Sequence, residues 1–93
     1  MKWKVLIRSS VRKAVTKLPG EMQARFAILL DVLTESGPNG PHTWTNYGKL
    51  KGQKDCFHCH LSRSHAYVVC WEVRKQEVII EIYYAGSHQN APY

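Results

Sequence analysis

Apolar residues recur along this chain with two different spacings, and the change between them separates helices from strands. Residues 3–7 (Trp3, Lys4, Val5, Leu6, Ile7) are aromatic and β-branched and predict a first strand that ends at Ser9-Ser10. The serine pair predicts an N-cap, because a hydroxyl satisfies a backbone N–H left free in a helix's first turn. Val11, Ala14, Val15 and Leu18 then follow the i, i+3, i+4, i+7 pattern of one helix face. Pro19-Gly20 ends that helix and Glu21 opens a second, whose Met22, Phe26, Leu29, Leu30 and Leu33 make a broader stripe. Gly37-Pro38 stops it, with Gly suited to the left-handed position beyond a helix C-terminus. Two helices joined by a Pro-Gly turn predict an antiparallel hairpin packed on a sheet.

Gly37, Pro38, Asn39, Gly40, Pro41 and Gly48 mark residues 37–48 as a loop, long enough to suggest a functional one. Three strand-like runs follow at about 54–62, 66–73 and 77–85. Arg63-Ser64-His65 and Arg74-Lys75-Gln76 separate them and are short enough for hairpins. The run Tyr67-Val68-Val69-Cys70-Trp71 is apolar on both faces and belongs in the middle of the sheet. Gly86 is expected to end the last strand. The predicted order is β-α-α-β-β-β, with a short extra strand near Lys49–Lys51. This is an α+β fold: a helical hairpin covers one face of a mostly antiparallel sheet. The other face must then be polar enough to meet solvent or a ligand.

Ninety-three residues make one domain, 1–93. With 44% hydrophobic and 22% charged residues, the chain is too apolar to be disordered. Thirteen Lys and Arg against seven Asp and Glu leave a formal charge of +6. That balance favours a polyanion or an acidic protein as partner, against the plainer reading of a merely soluble basic surface. Before Arg8 the apolar run is only Val5-Leu6-Ile7, so neither export nor membrane insertion is expected. The expected setting is the cytoplasm, where Cys56, Cys59 and Cys70 remain free thiols.

Cys56-Phe57-His58-Cys59-His60 spells the C-x-x-C-H haem attachment pattern. Read as a strand, it places Cys56 and Cys59 on opposite faces, where they share neither a haem nor a zinc ion. A zinc site also lacks a second ligand pair, and His58 with His60 lacks a third ligand. No metal and no cofactor are therefore expected. The same alternation groups Lys54, Cys56, His58, His60 and Ser62 on an outer face, and Asp55, Phe57, Cys59 and Leu61 on a core face. Two solvated histidines are the plain reading of that outer row. Lys49, Lys51, Lys54, Arg63 and Arg74 lie near it in sequence, among Trp44, Tyr47, Tyr67, Trp71, Tyr83, Tyr84 and Tyr93, most of which are expected in the core. Cations hold phosphates and rings stack on unpaired bases, a mixture suited to single-stranded RNA. With His88, these residues supply what cleavage of RNA by its own 2′-hydroxyl needs. Imidazoles move the protons near neutral pH, and Lys or Arg stabilise the phosphorane.

The element order, the segment Lys49-Leu50-Lys51-Gly52, the block His60–Val73 and the ending Gly86-Ser87-His88-Gln89-Asn90-Ala91-Pro92-Tyr93 resemble the RelE/ParE toxin superfamily. The branch they resemble most is that of the RelE- and YafQ-like messenger-RNA interferases. The resemblance implies the toxin of a type II toxin–antitoxin pair that enters the ribosome and cuts mRNA by the 2′-hydroxyl route. It implies a smaller antitoxin that masks the basic site, and the charge suggests an acidic, partly disordered one. By position, His60 matches the histidine on the middle strand of the YafQ-like branch, and His88 that of its terminal Gly-x-His segment. Arg63 falls near the strand-turn arginine of the RelE-like branch, and Tyr93 resembles a C-terminal aromatic that stacks on a base. Lys49, Lys51 and Lys54 sit where the family places phosphate-binding lysines.

Two positions depart from that pattern. Gly48 stands where the YafQ-like branch has a further histidine, with Tyr47 or His42 as stand-ins, and Ser64 replaces an acidic residue. The general base is thus left open, and His58 becomes a candidate because it shares a face with His60. Two other functions fit the same fold: a ParE-like gyrase inhibitor without nuclease activity, and a non-catalytic toxin kept for binding its antitoxin. A protein–protein inhibitor needs neither His60 nor His88.

Overall fold

The run that is apolar on both faces takes the middle of a five-stranded sheet. The computed structural model describes residues 2–63 and 66–93; Ser64 and His65 lie outside the described residues, as does Met1. The elements are β1 (Lys4–Ile7), α1 (Ser9–Thr16), α2 (Gly20–Ser36), β2 (Gly48–Lys49), β3 (Cys56–His60), β4 (Tyr67–Arg74) and β5 (Ile79–Ser87). Their order across the sheet is β1-β5-β4-β3-β2. β1 runs parallel to β5 and the other pairings are antiparallel. The helices carry the chain from the β1 edge to the β2 edge.

Strand alternation and helix periodicity meet in one core. Val69, Trp71 and Val73 from β4, Ile80 and Ile82 from β5, and Cys59 from β3 pack with Val11 of α1 and Met22, Phe26, Leu29 and Leu33 of α2. Burying each large apolar side chain contributes about 1.5–3 kcal/mol against exposure. On the other side of β4, Val68 and Cys70 are equally buried, and only towards Glu72 and Arg74 does that face open to solvent. No helix is long and apolar enough to cross a membrane among the described residues.

Local chemistry differs from the sequence expectation at several ends. Arg8, not a serine, occupies the N-cap of α1, and Ser9 and Ser10 lie inside the first turn. The cause is long-range: the Arg8 N–H donates to Ile82 O at 3.3 Å, and its guanidinium pairs with Glu81 at 3.2 Å. Gly37 does follow α2, at φ 84° and ψ −172°, outside the left-handed helical region. Only glycine suits it, because a Cβ there would stand 2.7 Å from the Trp3 indole nitrogen.

The β4–β5 connection is a single 3-10 turn, Lys75–Glu77, followed by Val78 at φ 56°. A β-branched residue in that region costs on the order of 1–2 kcal/mol. Gly86 does not end β5, which continues to Ser87. Instead Gly86 pairs with Val68, and the Tyr84 hydroxyl occupies its side-chain space, 2.9 Å from where a Cβ would be.

One irregularity shapes the outer face. β5 pairs Tyr84 with Cys70 but Ile82 with Trp71, so Tyr83 is an extra residue opposite Cys70. Such a bulge turns successive side chains to one side. The phenol of Tyr83 accordingly lies by the Cys56 and Cys70 thiols, with the Arg8 guanidinium 5.5 Å from its ring centre.

Candidate functional site

Alternation along β3 aims Cys59 into the core and leaves His58 and His60 half-buried on the outer face. β3 lies beside the central strand rather than being it. Small or short neighbours leave room around the two imidazoles: His58 faces Gly48 and Cys70, and His60 faces Val68, whose other partner is Gly86. Beyond β5 the chain turns back. A 3-10 turn, His88–Asn90, is capped by Ser87 Oγ, which accepts from the Asn90 N–H. The His88 N–H donates to Ala66 O at 2.6 Å and ties this turn to the start of β4.

Three imidazoles and a phenol converge as a result. The His60 and His88 ring centres are 5.4 Å apart. Tyr93 lies 4.9 Å from His58 and 5.9 Å from His88, ring centre to ring centre. Burial, then the neighbouring charges of His60 and His88, lowers the His58 pKa. Burial, then His88, lowers that of His60. Both shifts favour the neutral rings, which can accept a proton or donate a hydrogen bond. Burial, then the Cys70, Tyr84 and Cys59 charges, raises the Tyr93 phenol, which stays protonated.

The lowered imidazole values predict how stability responds to acid. The unfolded rings take up protons near pH 6.5 and the folded ones only at lower pH. Their contribution is therefore complete above pH 6.5 and is lost as pH falls through the folded values. We expect the thermal midpoint to fall between pH 7 and pH 5, and to fall less in a His58→Gln variant. An equal pH slope in both proteins would contradict the assignment.

Arg63 adjoins this cluster through His60. Both line a depression of about 370 Å³ with Trp44, Thr45 and, from α2, Glu21 and Arg25. The lysines are placed differently. Lys49 pairs with Phe57, so its side chain takes the face opposite the histidine row. Lys51 is exposed beyond β2. Lys54 lines a separate depression with Arg74 and Lys75, at the other end of β3 from His60. Arg74 is engaged with Glu81 at 2.8 Å.

Neither stand-in for a further base joins the outer row. Tyr47 stacks on Phe57 and Trp71 on the core side, and its hydroxyl donates to Asn39 Oδ1 at 2.6 Å. His42 Nδ1 lies 3.0 Å from the Asn39 carbonyl. Ser64, the position of the expected acidic residue, lies outside the described residues.

The expected split of the cysteines is present: Cys56 and Cys59 face opposite sides, and all three thiols are free and buried. Cys59 and Cys70 are pushed up to about 12, chiefly by burial, and so are held as unreactive thiols. Among the described residues, no group of three His, Cys, Asp or Glu is arranged to hold a metal ion.

Sequence reasoning passed over Asn46. Its Nδ2 stands 3.3 Å from His60 Nε2, and its backbone has φ 55°. No sequence signal marked it, because it reaches His60 through the turn that precedes β2.

No protein-family model matches the chain, and no curated protein matches its sequence. Solved structures do. A RelE of the archaeal RelE–RelB complex from Pyrococcus horikoshii is 27% identical, with TM-score 0.78 over 98% of this chain and 100% of that one. The isolated Escherichia coli RelE toxin is 19% identical, with TM-score 0.75 over 97% of this chain and 88% of that one. A chain of the RelB–RelE antitoxin–toxin complex from Methanococcus jannaschii is 17% identical, with TM-score 0.69 over 90% and 91%. The last two likenesses speak for the fold alone; the first extends over 98% of this chain and all of the other, with 27% of the residues identical. With two helices on a five-stranded mixed sheet, this chain has the fold of the RelE toxins.

Proposed function

We propose that the protein is the toxin of a type II toxin–antitoxin pair, an endoribonuclease that cuts mRNA on the ribosome and stops translation. The observation that carries this reading is the meeting of His60, His88 and Tyr93 on one sheet face, with Arg63 alongside. Cleavage by the 2′-hydroxyl needs one group to take that proton and another to return one to the departing 5′-oxygen. A neutral imidazole is suited to the first transfer and a protonated one to the second. Arg63 offers the pentavalent phosphorane a fixed positive charge, and the Tyr93 ring offers a base a stacking surface. No step of this route calls for a metal ion.

The partner we propose is an acidic antitoxin, complementary to a chain of charge +6. Two of the similar structures are RelE–RelB complexes, which supports such a pairing here. The setting is the cytoplasm, where messages are translated and thiols stay reduced. Mapping the ends of messages in a translating extract tests the reading. We expect new ends inside coding sequence when the protein is added. Intact messages, or arrested replication with translation untouched, would contradict it.

A further inference from the structure

Asn46 lies at the end of the long loop, just before β2, and its backbone takes a positive φ that most side chains avoid. The loop is docked there: the His60 N–H donates to Thr45 O at 2.8 Å. The β2–β3 ladder ends at Gly48–His58, and the turn at Thr45 and Asn46 that precedes it brings the Asn46 side chain to the His60 ring. Its amide Nδ2 meets the imidazole at Nε2, 3.3 Å away. An amide N–H donates and never accepts, so with the amide nitrogen turned to the ring Nε2 presents a lone pair and the ring's single proton sits on Nδ1.

We propose that Asn46 is a positioning residue that holds His60 as the neutral tautomer protonated on Nδ1. His60 then meets a phosphoryl oxygen as a hydrogen-bond donor, and proton abstraction falls to another imidazole of the cluster. This second statement rests on the nuclease reading; the first does not. Free histidine favours the opposite tautomer, with its proton on Nε2, so the arrangement carries a distinct signature.

The surroundings act in the same sense. Burial and His88 from the C-terminal turn oppose a positive His60; His58 shares its strand face, and Arg63 and, from α2, Arg25 line the same depression. Glu21, also from α2 and lining the same depression, is the one carboxylate among these groups. It forms an i, i+4 pair with Arg25 at 3.7 Å.

Nitrogen-15 NMR of the labelled protein tests this without reference to activity, with His60 signals assigned by their loss in His60→Gln. At pH 7.5 we expect His60 to carry its proton on Nδ1 and leave Nε2 bare. Asn46→Gly suits the positive φ and removes only the amide. It should return the ring to the Nε2-protonated tautomer and raise its titration midpoint. Asn46→Asp should raise that midpoint by about one pH unit, because a carboxylate favours the charged ring. A wild-type His60 protonated on Nε2 would overturn the proposal, as would an Asn46→Gly variant with unchanged tautomer and midpoint. The stated tautomer in a protein that cuts no RNA would uphold the placement of the proton and overturn the nuclease reading instead.

Discussion

Replacing His60 and His88 together with alanine is expected to abolish growth arrest and message cleavage while leaving the fold intact. Each proton transfer helped by a positioned imidazole is worth about 10²–10⁴-fold. His88→Ala alone should therefore cost at least about 100-fold in cleavage rate. The double variant should lose less than the product of the single losses, because both rings serve one reaction and their effects are not additive. His88 is exposed and His60 half-buried, so the thermal midpoint should barely change. Cleavage at the wild-type rate by the double variant would remove both rings from the mechanism. Arrest that persists with a block in replication would favour the gyrase-inhibitor reading.

The largest effect on stability is expected at Trp71. Its side chain is fully buried, with Phe57 stacked at 6.3 Å and 13° and Tyr47 beyond it at 6.3 Å. It sits in the middle strand, bordered by the bulge that sends Tyr83 to the outer face. Truncation to alanine leaves a cavity that strands paired on both sides cannot collapse to fill. The expected cost of Trp71→Ala is about 3–5 kcal/mol, a large part of the stability of a domain this small. Trp71→Phe keeps a ring on Phe57 and should lose less. Denaturant titration measures both. A loss for Trp71→Ala of about 0.5 kcal/mol, the scale of a surface change, would contradict this role.

What the sequence revealed depended on how far each feature reaches along the chain. The central place of β4 was legible because a run apolar on both faces, Tyr67-Val68-Val69-Cys70-Trp71, must be covered on both sides. The helices were legible from their apolar periods. Parallel pairing of β1 with β5 was not, since nothing local records which distant strand becomes a neighbour. The serines were expected to cap α1 because capping chemistry is local, whereas Arg8 is fixed by Ile82 and Glu81 more than seventy residues away. The bulge at Tyr83 has no sequence signal, since both tyrosines fit a regular strand equally well.

The site was legible to the same extent. Strand parity put His58 and His60 on one face, and Cys56 and Cys59 on opposite ones. That His88 and Tyr93 come to those rings depends on the turn at His88–Asn90 and its bond to Ala66. The lysines were grouped with the histidines by closeness in sequence, which ignores the pleat that sends Lys49 the other way. Asn46 escaped notice because an amide in a loop gains meaning only when the loop is docked.

The central claim is that the RNA's own 2′-hydroxyl attacks its phosphate. The most direct measurement uses a message with a single 2′-deoxynucleotide at the mapped cleavage position, in a translating extract with the purified protein. The account predicts that this message survives uncut, while the all-ribose control yields upstream fragments ending in a 2′,3′-cyclic phosphate. Cutting of the deoxy-substituted message at the same position and rate would contradict it.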